Sequence, residues 1–251
     1  MKKRQHIDTQ VVSYAISGKW NEPIGDCVIS SIVANELFLV QGDDPAKANL
    51  YIPLSISMMG AMLPTGIRRR DHPFNKRLSD SIIMDFKNEF PTIIEYNNLS
   101  ISSLINNRQV DLFAGAINHL DKYTKKILKR RFQFLVENNI QCIPLKKTDI
   151  EVAFELLSRF TEKYNLKKNF RNSWNDLLIM SCAMCANETL ITSDGLLSKF
   201  ASEYLGVRPT KKAHDFVEIP FSVSQTTSQK KFLESKGYVN NGWRIQISKG
   251  V

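Results

Sequence analysis

Residues 175–194, NDLLIMSCAMCANETLITSD, constrain the fold more than any other part of the chain. They join an apolar run of helical length to a short strand, Thr189–Thr192, and carry an acid toward each end. Asp176 is expected where the helix begins, and Asp194 just past the strand. A helix feeding such a strand predicts an alternating α/β chain with a mainly parallel sheet. Ligands of open α/β sheets gather outside the carboxyl ends of the strands, so Asp194 points to that edge. Two other acids, Asp8 and Glu36, are expected to converge on it.

From the amino end, residues 4–7 read as a strand ending at Asp8, and residues 10–16 (QVVSYAI) as the helix after it, closed by Ser17-Gly18. Ser30-Ser31 suits the cap of a helix over 32–40. At 100° per residue, Ile32, Val33, Glu36, Leu37 and Val40 share one face of that helix. A carboxylate in an apolar stripe is costly unless it is paired or binds a metal. Further on, residues 79–90 suggest a helix, 91–96 a strand, 108–138 a long helix or two, and 140–145 a strand. Thr148 and Glu151 have capping-box spacing, opening a helix through residue 164. Residues 165–173 form a basic loop running into Asp176. Past Asp194, a helix is expected over 196–204 and a strand over 215–221. Asn241-Gly242, within 238–247, is a hairpin signal.

The 251 residues can bury a large core, and 43% hydrophobic with 24% charged residues is the balance of an ordinary soluble protein. A net charge of +9 favours an anionic partner. Met1-Lys-Lys-Arg4 resembles the start of a signal peptide, but His6, Asp8 and Gln10 follow where an apolar segment is needed. A cytoplasmic protein with no membrane partner is expected. Its four cysteines then read as reduced thiols, and Cys182-Ala-Met-Cys185, without a second such pair or a nearby histidine, reads as buried small residues rather than a zinc or redox pair.

Basic residues are grouped. The densest cluster, RRRDHPFNKR at 68–77, holds Arg68, Arg69, Arg70, Lys76 and Arg77 around Phe74. It reads either as a solvated loop or, with an aromatic ring for stacking, as a phosphate-contacting patch. Lys125, Lys126, Lys129, Arg130 and Arg131 read as a solvated helix face. Lys167, Lys168 and Arg171 lead directly into Asp176.

Four acid-bearing blocks, in order, resemble those of PIN-domain nucleases of the VapC-like kind. They are Ile7-Asp8-Thr9-Gln10, residues 29–38 around Glu36, residues 175–183 opening with Asn175-Asp176, and Leu190-Ile-Thr-Ser-Asp194. The resemblance covers roughly residues 4–40 and 140–206. Gln10 stands where the family usually has Asn, and Glu36 and Asp176 lie much farther apart than in compact members. It implies a PIN-like three-layer α/β/α sandwich with a central mainly parallel sheet. The catalytic domain would comprise 1–40 and 108–206, with an insertion at 41–107 and a C-terminal extension at 207–251.

The function implied is a metal-dependent endoribonuclease. Asp8, Asp176 and Asp194 would be direct or water-mediated ligands of Mg²⁺ or Mn²⁺, and Glu36 would orient a water or a second ion. Thr192 and Ser193 would hydrogen-bond to those groups. Clustered carboxylates suit hard divalent cations, and without one they repel and push a pKa upward. No histidine other than His6 lies in the blocks, which disfavours zinc. A toxin or defence role would add an antitoxin or regulatory protein as partner, and a homo-oligomer is open. The alternative is a PIN-like module that binds RNA or protein without cutting. A haloacid-dehalogenase-type phosphatase wants a second aspartate two residues after Asp8, where Gln10 stands.

Four acids repel a polyanion, so basic groups must rim the pocket; Arg68, Arg69, Arg70, Lys167, Lys168 and Arg171 are the candidates. Phosphate contacts release counterions, so RNA binding should weaken steeply with salt, and neutralising Arg68–Arg70 should flatten that slope. An unchanged slope and affinity in the triple variant would assign the insertion another role.

Overall fold

The computed structural model describes residues 4–20, 22–24, 27–39, 81–85, 93–167, 170–212, 215–222 and 244–247, with 81–85, 93–96 and 244–247 as backbone. The cluster at 68–77, Lys168 and the Asn241-Gly242 turn lie outside them. In chain order the elements are β1 (Gln5–Ile7), α1 (Thr9–Ile16), β2 (Cys27–Ser30), α2 (Ser31–Leu37), β3 (Ser81–Asp85) and β4 (Ile93–Asn97). Three helices follow, α3 (Leu99–Asn106), α4 (Val110–Ala116) and α5 (Lys122–Glu137). Then come β5 (Gln141–Ile143), α6 (Lys147–Thr161), α7 (Phe170–Ala186), β6 (Thr189–Thr192) and α8 (Gly195–Leu205). The last are β7 (Thr210–Lys211), β8 (Val217–Pro220) and β9 (Arg244–Ile247).

The fold is α/β, built on a six-stranded mixed sheet of order β5-β2-β1-β6-β8-β7. Neighbours are parallel from β5 through β6, whereas β8 runs antiparallel to β6 and β7 antiparallel to β8. All four residues of β2 and the last three of β6 are buried, so both faces of the central strands are covered. That is why these strands read as continuous apolar runs rather than alternating ones. The three strands expected near 4–8, 140–145 and 189–193 all lie in this sheet. Among the described residues no helix is long and apolar enough to cross a membrane.

Helix α7 is buried nearly all round, from Ser173 through Asn175 and from Leu177 through Met184, as a helix inside a core must be. It begins at Phe170, so Asp176 lies in its second turn and not at its start. Burial of Trp174, whose ring meets Phe154 at 4.8 Å, fixes that earlier turn. Ser173 Oγ also accepts from the Lys167 backbone N–H at 2.8 Å. Cys182 is buried in this helix, and burial pushes its thiol well up; none of the four cysteines forms a disulfide.

Other expectations are corrected. Residues 81–85, expected in a helix, form β3, the middle strand of an antiparallel sheet of order β4-β3-β9. Backbone pairing on both edges overrides the local helical pattern. Of the long helix or two expected over 108–138 the structure forms two, because Asp121 caps α5 by accepting from the Tyr123 and Thr124 N–H groups at 2.8 and 3.0 Å. The box that opens α6 centres on Lys146, whose N–H donates to Asp149 Oδ2 at 2.8 Å, rather than on Thr148 and Glu151. Helix α3 was not anticipated. Its Ile101, Leu104 and Ile105 join the same core cluster as Ile7 and Leu190, so the segment 41–107 contributes to the core. The segment 207–251 does so too, through Val207, Phe216, Ile219 and Phe221, and adds β7 and β8 to the main sheet and β9 to the smaller one.

Two buried amides tie these additions down. Asn35 donates to the Asn97 carbonyl at 2.6 Å and accepts from the Asn97 N–H at 3.2 Å. Asn98 donates to the Leu145 carbonyl at 3.0 Å and accepts from the Leu145 N–H at 2.7 Å and from Ser31 Oγ at 2.8 Å. An Asn98→Ala variant leaves the buried Leu145 peptide groups unpaired. It should lower the unfolding free energy by about 2–4 kcal/mol in urea denaturation. A loss under about 1 kcal/mol would mean that water replaces the amide.

Candidate active site

Parallel β1 and β6 lie side by side, but the chain leaves β1 toward β2 on one side and leaves β6 toward β7 and β8 on the other. Their carboxyl ends therefore flank a topological switch point, the place where open sheets bind ligands. Asp8 follows β1 directly, its N–H donating to the Ile191 carbonyl at 3.0 Å, which sets it beside Thr192. Asp194 stands two residues past β6. The two acids share the same sheet end, as the sequence predicts.

One hydroxyl joins them. Thr192 Oγ1 donates to Asp8 Oδ2 at 2.7 Å and accepts from the Asp194 N–H at 3.0 Å. This explains a Thr-x-Asp spacing at a strand end: the threonine reads the neighbouring strand while orienting the aspartate of its own. Both acids also cap helices. Asp8 Oδ1 accepts from the Thr9 N–H at 2.6 Å, and Asp194 Oδ1 from the Leu197 N–H at 2.8 Å. Each thus spends one oxygen on a helix N-terminus and turns the other inward. Ser193, expected to bond to these acids, instead donates to Gln10 Oε1.

Glu36 enters from α2. It is the half-buried member of a helix whose other residues are all buried, so it stands at the margin of the stripe. Thr9 Oγ1 donates to its Oε2, and Asn175 Nδ2 to its Oε1 at 2.5 Å. Asn175 and Thr9 are thus positioning residues for which the sequence assigned no role, although both lie beside predicted acids. Arg171, in the first turn of α7, feels the Glu36 charge while burial pulls its own pKa down.

Asp176 and Asp194 converge on Lys167. Its Nζ lies 2.5 Å from Asp176 Oδ2 and 2.7 Å from Asp194 Oδ2. Lys167 was expected on the pocket rim as a phosphate contact, whereas it sits between two of the acids. Burial works against its ammonium form, but the two carboxylates outweigh that and raise its pKa. The acids are strained electrostatically. Burial, reinforced by Glu36 and Asp194 and opposed by the Thr192 hydrogen bond, raises Asp8 to about 6. Burial and the nearby Asp8 raise Asp176 to about 8, although Lys167 pulls the other way.

The four predicted acids therefore interact as one group. Among the described residues, however, no set of three or more His, Cys, Asp or Glu is spaced to hold a metal ion. The donor chemistry fits a hard divalent cation, because all four groups are carboxylates whose oxygens retain lone pairs after one hydrogen bond. An ammonium stands between two of them, itself a cation stand-in.

Both raised pKa values lie above the ordinary 3.8, so between about pH 4 and 8 the folded protein binds more protons than the unfolded chain. Stability is full below that window and falls as pH rises through it. In urea denaturation without divalent metal, the protein should be less stable at pH 8 than at pH 5. Asp8→Asn should raise stability at pH 8 by roughly 1–3 kcal/mol and flatten the slope. A variant as pH-sensitive as the parent would mean that Asp8 ionises freely.

The chain matches no protein-family model, no curated protein and no solved structure.

Proposed function

We propose that the chain is a Mg²⁺- or Mn²⁺-dependent endoribonuclease of PIN-like fold, hydrolysing phosphodiester bonds at the carboxyl end of its parallel strands. The observation that supports this most is the meeting of Asp8, Glu36, Asp176 and Asp194 from four separate elements at one switch point. Four single acids with ordinary structural duties have no reason to share one end of a sheet, since each raises the cost of ionising the next.

In this reading Asp8, Asp176 and Asp194 hold the ion directly or through water, and Glu36 orients a water or a second ion. When bound, the ion supplies Lewis acidity at the phosphodiester. The chain supplies the positions. Thr192 fixes the rotamer of Asp8, the cap to Leu197 fixes Asp194, and Thr9 with Asn175 clamps Glu36. Burial of α7 around Trp174 fixes the depth of Asp176. Each inward oxygen therefore has its direction set before a ligand arrives, which is the usual requirement for catalysis by positioning. RNA as substrate rests on the net charge of +9 and on the family resemblance.

The second reading, a PIN-like module that binds RNA or protein without cutting, is favoured by the Lys167 ion pairs, which already engage two of the four acids with one ammonium. A panel of RNA and single-stranded DNA incubated with Mn²⁺, Mg²⁺ or EDTA separates the two. The nuclease reading expects internal cleavage of RNA with either metal, none with EDTA, and a loss of about 100-fold or more in Asp8→Asn with the circular dichroism unchanged. RNA binding without cleavage under every condition would select the binding module.

A further inference from the structure

We infer that Lys167 is the resident cation of the acid pocket: its ammonium holds Asp176 and Asp194 together, and a divalent ion gains its seat by displacing that ammonium. This deepens the metal-dependent reading proposed above and rests on it. Asp176 comes from the second turn of α7 and Asp194 from the turn between β6 and α8, and like charge would drive the two apart. Lys167 spans them at 2.5 and 2.7 Å. Among the described residues, Lys167 is the one hydrogen-bond partner of the Asp176 side chain. The Asp176 and Asp194 side chains are 20% and 11% exposed, and the Lys167 side chain 38%.

Displacement would draw the carboxylates closer, because among the described residues no three of them are spaced to hold an ion while the lysine is in place. Lys167 is tethered through its backbone N–H to Ser173, while its head is carried on a flexible four-carbon arm that already reaches solvent. An ammonium offers three donors and no open coordination positions, whereas a hard divalent ion gathers six or more oxygens. With the lysine in place, its ammonium holds two carboxylate oxygens, while Asp8 accepts from the Thr9 N–H and Thr192 Oγ1 instead. A divalent ion would take these two oxygens and add that of Asp8. The lysine thus keeps the metal-free pocket assembled and sets a threshold concentration for the ion that replaces it.

The test is Mn²⁺ binding, read by isothermal titration and by electron paramagnetic resonance, on the full chain and on Lys167→Met. The inference expects the variant to bind Mn²⁺ about tenfold tighter or better, since a competing cation is gone. It also expects the metal-free variant to melt below the parent, with the gap closing at saturating Mn²⁺. A second measurement needs no variant: amine acetylation of the parent protein, followed by mass spectrometry, should label Lys167 several-fold faster once Mn²⁺ is added. Lysines remote from the pocket, such as Lys129, should not change. Equal or weaker Mn²⁺ affinity in the variant, or Lys167 labelling indifferent to Mn²⁺ in a parent that binds it, overturns the inference and leaves the metal-dependent reading standing. Absence of Mn²⁺ binding in both proteins overturns the inference and the reading together. Binding by the variant alone supports the inference most directly.

Discussion

Repulsion among like charges in a buried place is the constraint on which the rest of this structure depends. Asp8, Glu36, Asp176 and Asp194 meet where β1 and β6 end, and none of the four is fully solvated. The fold answers with hydrogen bonds directed at particular oxygens: a peptide N–H and the Thr192 hydroxyl on Asp8, a hydroxyl and an amide on Glu36, a helix N-terminus on Asp194. Asp176 has no such set and takes a lysine instead. Burial, with the nearby Asp8 charge, still raises it to about 8 beside that cation.

Much of this was legible in the sequence, for a physical reason. Acids at strand ends are easy to place, because a short buried strand fixes its last residue and the residue after it. Asp8 and Asp194 could therefore be assigned from Ile7 and from Thr189–Thr192 alone. Glu36 was visible as a carboxylate that breaks an apolar stripe. Asp176 was harder, since a helix that is apolar nearly all round gives no periodicity by which to find its first turn. The true start at Phe170 is set by Trp174 packing on Phe154, a contact between residues from different helices. Lys167 could be recognised as basic and near Asp176, but whether it points outward to a phosphate or inward to a carboxylate depends on the backbone between 167 and 176.

The smaller sheet was the least legible part. A five-residue strand such as Ser81–Asp85 carries weak local preference, and its identity comes from two partner strands, one of them far away in sequence. The additions are held to the core by directed polar contacts as well as by apolar burial. Asn35 and Asn98 each satisfy both groups of a neighbouring peptide unit, which fixes the path of the chain from β4 into α3. Buried amides of this kind specify a single arrangement, because any slip leaves donors and acceptors unpaired.

The pairing of β9 with β3 also bears on the order in which the molecule can assemble. Strand β3 is the middle of its sheet, yet one neighbour is made within a few residues and the other is the last strand of the described chain. During synthesis from the amino end, β3 and β4 emerge as a lone two-stranded ribbon, a unit of marginal stability in water. One edge of β3 then stays open until Arg244–Ile247 has left the ribosome, and an open edge invites pairing with other chains. The main sheet waits as well, since β1 cannot complete its pairing before β6 exists. Closure is therefore late and non-local in both sheets, the topology of a slow folder.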